Sequence, residues 1–73
     1  MIIDEENYII FIDEPNPTTT YVGKAVRGAS ASMDVWQIKK VVKINTKEHR
    51  ILWADGDDGF NKVWNDRSTY TYK

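Results

Sequence analysis

The chain has 73 residues, 41% hydrophobic and 29% charged, with a net charge of −1, no cysteine and one histidine. That length fits a single small domain over 1–73. The composition excludes disulfides and thiolate zinc sites, leaves only His49 for a nitrogen-ligated metal, and argues against general nucleic-acid binding, which needs a basic surface.

A domain this short buries only about 60% of the surface its unfolded chain exposes, so added stability is expected from partner subunits. No apolar run approaches the ~20 residues of a membrane span. The start, MIIDEENY, lacks the basic region and apolar core of a signal peptide. The expectation is a cytosolic product with no membrane partner.

In chain order, YIIFI (8–12) is β-branched and aromatic throughout and reads as a strand, buried on both faces or pairing with another chain. Asp13-Glu14-Pro15-Asn16-Pro17 ends it, because each proline removes a backbone donor. Residues 1–17 thus read as an N-terminal arm or strand, and 18–73 as the core. TTTYVGKAVR (18–27) predicts a second strand, with Gly23 marking a bulge or a close backbone approach. GASASMD (28–34) reads as a loop.

Over 35–45 the pattern is clearest. Trp36, Ile38, Val42 and Ile44 share one parity and Gln37, Lys39 and Lys43 the other, with Lys40 and Val41 breaking the rule. Period two predicts a half-buried strand. A polar turn (45–49) and RILWA (50–54) complete a hairpin. Near the end, Phe60, Val63 and Trp64 stand at i, i+3 and i+4, which predicts one helical turn packed on the sheet. STYTY (68–72) alternates as a final strand. The fold class expected is all-β, a small barrel or sandwich of about five short strands with one helical turn near the C-terminus. Its core anchors are Trp36, Ile38, Trp53, Phe60, Val63 and Trp64.

The acidic stretch ADGDDGF (54–60) invites three readings. As an EF-hand-type calcium loop starting at Asp55, it has Asp57 and Asp66 at positions three and twelve. Position six is then Phe60 instead of glycine, and position five is Gly59, which is no ligand. As a catalytic carboxylate pair it needs an apolar pocket that a glycine-rich turn does not supply. No Ser–His–acid set or phosphate loop accompanies it, and His49 reads as a surface residue in KEHR. As structure it accounts for more residues: Asp55-Gly56 is a turn dipeptide, Asp58 or Gly59 caps the following helical turn, and Asp66 with Arg67 holds the exit by a local ion pair or backbone contacts. No metal, cofactor or catalytic residue is expected.

Lys39, Lys40, Lys43, Lys47 and Arg50 cluster on the central hairpin near Trp36 and Trp53. An OB-like face for single-stranded nucleic acid is one reading. A solvated hairpin whose lysines protect an edge is the simpler one, since parity places Trp36 opposite most of them. The two chain ends are acidic by contrast: Asp4, Glu5, Glu6, Asp13 and Glu14 early, Asp55, Asp57 and Asp58 late. Such a distribution suits head-to-tail contacts between copies. Tyr8, Tyr21, Tyr70 and Tyr72 read as core-edge residues or interface anchors.

The ordered motifs TYVGKA (20–25), VWQIKKV (35–41), ILWADGDDGFNKVWNDR (51–67) and STYTY (68–72) resemble those of a group of short tailed-bacteriophage proteins. These carry a YIGKA-like strand, a WQI strand and an ADG–F–VWDNR segment. The resemblance spans residues 20–72. Asn65-Asp66 inverts the usual order after the tryptophan, and the first 19 residues fall outside the pattern. The resemblance implies a non-enzymatic virion component in a head, neck, tail or fibre-adaptor assembly. It would be assembled in the host cytoplasm, and its partners would be other virion proteins and copies of itself, with no specific nucleic acid. Tyr8, Ile10, Ile12, Lys39, Lys40 and Lys43 are the candidate interface, and residues 2–12 are expected to reach a neighbouring subunit by adding a strand. The alternative is a small SH3-like or OB-like module that binds a peptide or single-stranded nucleic acid.

Overall fold

The computed structural model describes residues 7–73. Four strands, β1 (Tyr8–Asn16), β2 (Thr19–Val26), β3 (Gln37–Lys43) and β4 (His49–Trp53), form one antiparallel sheet in the order β1-β2-β3-β4. The fold is all-β. The sheet stays open, so it is neither a closed barrel nor a two-sheet sandwich. Its second layer is the irregular chain from 54 to 73, which carries one 3-10 turn, Trp64–Asp66. The molecule measures 35 × 33 × 20 Å. A thickness of 20 Å matches a sheet covered on one side, since stacked layers pack about 10 Å apart.

Side-chain amides set the turns. Asn16 Oδ1 accepts from Thr18 N (3.0 Å) and Thr18 Oγ1 (2.9 Å), closing β1 onto β2. Asn45 Oδ1 accepts from Lys47 N (2.9 Å) and Glu48 N (3.0 Å) between β3 and β4. Pro15 falls within β1, where the register shifts between Asp13 and Asn16, so its missing N–H is lost to no ladder. That irregularity, and not Gly23, is the sheet's bulge: Gly23 pairs in register with Phe11 on one side and Ile38 on the other.

Cross-strand register assigns the two faces. One face carries Ile9 and Phe11 of β1, Gly23 and Ala25 of β2, and Ile38 of β3, followed by Ala54 past β4. Residues 54–73 cover it. Trp36, Ile38, Ala25 and Ala54 are fully buried there and Trp64 nearly so. Phe11, Trp36 and Trp64 form an aromatic cluster with ring centroids 4.6–5.8 Å apart, a geometry that adds about 0.5–1.5 kcal/mol per pair beyond burial. Trp36 Nε1 donates to Ser30 O (3.0 Å), so its polar edge is satisfied as well.

Several predicted elements come out differently. STYTY is not a strand: it is a turn followed by one isolated bridge, Ala54–Tyr72. Its tyrosines brace the covering layer instead. Tyr70 Oη accepts from Val63 N (2.9 Å), and Tyr72 Oη donates to Arg67 O (2.6 Å). Phe60, Val63 and Trp64 do not share a helical turn. Lys62 bridges to Trp36 between them, and the 3-10 turn begins only at Trp64. Val63 is half-buried, and Phe60 is 43% exposed and stacks on Tyr8 at 5.8 Å. Trp53 is half-buried on the opposite face, because β4 turns its even-numbered residues inward and buries Ala54.

Candidate assembly surface

The second face of the sheet is uncovered. Register lays it out in rows: Tyr8 beside Val26; Ile10, Lys24 and Gln37; Ile12, Val22, Lys39 and Trp53; Thr20, Val41 and Ile51; then Lys43 beside His49. Ile10, Ile12, Val26 and Ile51 are each 41–67% exposed. A depression of about 360 Å³ lies at its centre, lined by Ile10, Val22, Lys24, Gln37 and Lys39. An apolar surface of this kind on a small domain marks a contact site more often than a chance exposure.

Two of its lysines are held over rings. Lys24 Nζ lies 4.5 Å from the Tyr8 ring centroid, and Lys39 Nζ lies 5.7 Å from that of Trp53. Both lysines line the central depression beside Ile10 and Val22. Glu14, bonded by Thr20 Oγ1 at 3.5 Å, is the carboxylate at the β1–β2 hairpin end. At the other end Gln37 Nε2 donates to Asp58 O (2.8 Å), tying the acidic turn to the rim.

Of the predicted interface residues, Tyr8, Ile10, Ile12, Lys39 and Lys43 come together on this face. Lys40 does not: it lies on the covered side, with Nζ 5.4 Å from the Tyr72 ring and 5.8 Å from the Tyr21 ring. Parity at Lys40 carried that signal. Gln37, which shares the parity of Lys39 and Lys43, belongs to the face as well, and so do Val22, Lys24, Val41 and Ile51, which nothing in their own strands marks for it. Finding them requires the cross-strand register, which no single strand encodes. Of the expected arm, residues 1–6, with Asp4, Glu5 and Glu6, lie outside the described residues, and Tyr8–Ile12 are the start of β1.

The acidic turn is structural in its contacts. Asp55 (φ 57°) and Gly56 (φ 68°) both take left-handed backbone, and Asp57 N donates to Ala54 O (3.1 Å), closing a tight turn. Asp57, and neither Asp58 nor Gly59, organises the chain over 59–62. Its Oδ1 accepts from Gly59 N (2.8 Å), and its Oδ2 accepts from Asn61 Nδ2 (3.1 Å) and Lys62 Nζ (3.2 Å). The Gly59 N–H first, then Asn61 and Lys62, hold its carboxyl below the ordinary value. The 3-10 turn has no side-chain cap. Arg67 pairs with Asp13 (3.0 Å), not Asp66, donates to Trp64 O (3.1 Å) and lies over the Trp64 ring (4.6 Å), clamping the covering layer to β1.

Among the described residues no group of three or more His, Asp or Glu side chains is placed to hold a metal ion, and His49 is exposed. No helix there is long and apolar enough to cross a membrane. Comparison with protein-family models, curated proteins and solved structures finds no match to this chain.

Proposed function

We propose that this chain is a non-enzymatic bacteriophage virion structural protein that works by oligomeric packing, with the uncovered sheet face as its packing surface. The carrying observation is that face. Apolar side chains from all four strands converge on it, and among the described residues the covering chain meets it only at the rim, with Phe60 on Tyr8 and Asp58 on Gln37. Burying them at about 25 cal/mol per Å² gives a small domain a source of stability that its own core lacks. The tailed-phage reading rests on the motif order over residues 20–72, and the partners it implies are copies of the chain and other virion proteins.

Quantitative mass spectrometry of purified particles tests the reading. A copy number matching the capsid lattice assigns a head-surface role, and one matching portal or tail symmetry a neck, tail or fibre-adaptor role. Absence from particles overturns it.

A second reading, a small module for single-stranded nucleic acid, is favoured by Lys24 over Tyr8 and Lys39 over Trp53 on one sheet face. It requires that the triple substitution Lys24, Lys39 and Lys43 to alanine abolish retention of an oligonucleotide.

A further inference from the structure

Hydrogen-bond phase separates the two edges of the sheet. Arg27 N donates to Asn7 O (3.3 Å), so odd-numbered residues of β1 turn their backbone groups toward β2. The alternation continues across the sheet, with Lys43 N donating to Thr18 O (2.8 Å) and Ala54 N to Ile38 O (3.1 Å). Tyr8, Ile10 and Ile12 therefore turn their N–H and C=O groups outward from the β1 edge. At the β4 edge the outward groups of Trp53 exchange two bonds with Lys73 (3.0 and 3.1 Å). Among the described residues, nothing pairs with the outward groups of β1.

Soluble proteins guard such edges with lysine, proline, bulges or inward charges. The run Tyr8–Ile12 carries none of these. The first interruption is Asp13, followed by Pro15 and the register shift. The β4 edge, in contrast, carries His49 and Arg50 besides its Lys73 cover.

The geometry points to a second copy of this chain as the occupant of the β1 edge, paired antiparallel through Tyr8, Ile10 and Ile12. Pairing centred on Ile10 sets Tyr8 of one copy opposite Ile12 of the other. Every outward N–H and C=O of the run then has a partner, and no like charges are opposed. The two-fold axis runs normal to the sheet, so both uncovered faces stay on one side and merge into a larger apolar surface. Stacking two uncovered faces directly would instead set Lys24, Lys39 and Lys43 of each copy against one another. A self-paired β1 also gives Ile12, 67% exposed, and Ile10, 41% exposed, cross-strand neighbours. This inference rests on the reading that the protein packs against copies of itself.

Sedimentation of the full chain over a concentration series, combined with amide hydrogen exchange, tests it. The expected result is a dimer in which the Ile10 and Ile12 amides exchange on the order of tenfold more slowly than in the diluted monomer. Ile12→Pro, which removes one outward N–H from an edge strand, is expected to give a folded monomer. If proline disturbs the fold, Ile12→Lys places a charge on the same edge with its side chain in solvent and is expected to give the same result. Monomers at every concentration with fast amides overturn the inference and the self-packing reading together. Oligomers whose Ile10 and Ile12 amides exchange fast overturn the edge pairing alone.

Discussion

Gly23 is the seat of Trp64. A Cβ at position 23 would stand 2.6 Å from Trp64 Cζ3 and 3.1 Å from Trp36 Cε3, inside van der Waals contact with two rings that are themselves held in place. The ring occupies the space that any side chain at 23 would need. Gly23→Ala is therefore expected to destabilise the fold by about 3 kcal/mol despite the better strand propensity of alanine. Urea unfolding followed by tryptophan fluorescence reads the change, and a variant as stable as the parent refutes this packing account.

Arg67 holds Trp64 by two contacts, to its carbonyl and its ring face, and is itself anchored on the Asp13 carboxylate. Lysine keeps the charge but loses the planar stack and the forked donors. Arg67→Lys is expected to lower stability by about 1 kcal/mol, while Asp13→Asn lowers it by less, because the pair is partly exposed. A double-mutant cycle on thermal unfolding separates the two contributions.

Tyr72 is expected to make the fold sensitive to alkali. Burial, with the neighbouring Tyr21 and Tyr70 adding to it, pushes its hydroxyl well above the ordinary value of 10.0. The folded chain thus keeps this proton to higher pH than the unfolded chain does. The contribution is whole below pH 10.0 and declines as pH rises beyond it. Tyr72→Phe is expected to cost about 1 kcal/mol at neutral pH by orphaning the Arg67 carbonyl. It is also expected to flatten the loss of stability at higher pH. Unfolding curves at about pH 7 and about pH 11 check both.

Asp57 acts at the acidic end. Its depressed pKa means that its stabilising effect is complete above the ordinary value of 3.8 and fades as pH falls below that. Asp57→Asn keeps an acceptor for the Gly59 N–H but carries no charge to titrate. The variant's stability is expected to change less between about pH 6 and about pH 3 than the parent's, as read by denaturant midpoints.

On the uncovered face, Ile51 is 55% exposed and lies far from the β1 edge. Ile51→Lys is expected to leave unfolding within about 0.5 kcal/mol of the parent. On the proposed virion role it is expected to abolish incorporation into particles, as read by mass spectrometry of purified particles. Edge-paired dimers should survive this change, so it tests the face separately.

The four strands were legible because each carries its own signal: β-branched residues at 8–12 and 18–27, alternation through Trp36 and Ile38 that Lys40 and Val41 interrupt, and RILWA at 50–54. The Asp55-Gly56 turn was legible from its dipeptide. What misled was spacing without register. Phe60, Val63 and Trp64 fit a helical face, yet Lys62 between them pairs with Trp36, and extended chain spreads the three over different surroundings. Threonine–tyrosine alternation at 68–72 has the composition of a strand, but the tyrosine hydroxyls are spent on the backbone of 63 and 67. Trp53 is a predicted core anchor that the register moves to the other face. Parity set from Ile38 across to β4 puts alanine inside instead. The uncovered face was half legible: its residues were marked on β1 and β3, and those on β2 and β4 waited for the pairing.

Because the strands follow one another across the sheet in chain order, a ribosome can deliver the whole sheet before any of its cover. The ring that fills the space above Gly23 and the arginine that clamps it lie at 64 and 67, and Arg67 is joined to Asp13 across 54 positions. A polypeptide interrupted before Trp64 is then not a shortened domain. It is a sheet whose cover lacks Trp64, Arg67 and the bracing tyrosines over Phe11, Trp36 and Ile38, with the isoleucines exposed on the other side. Translation errors in this stretch are expected to yield aggregates and not partially active fragments. That places the demand for fidelity on the codons around Trp64 and Arg67.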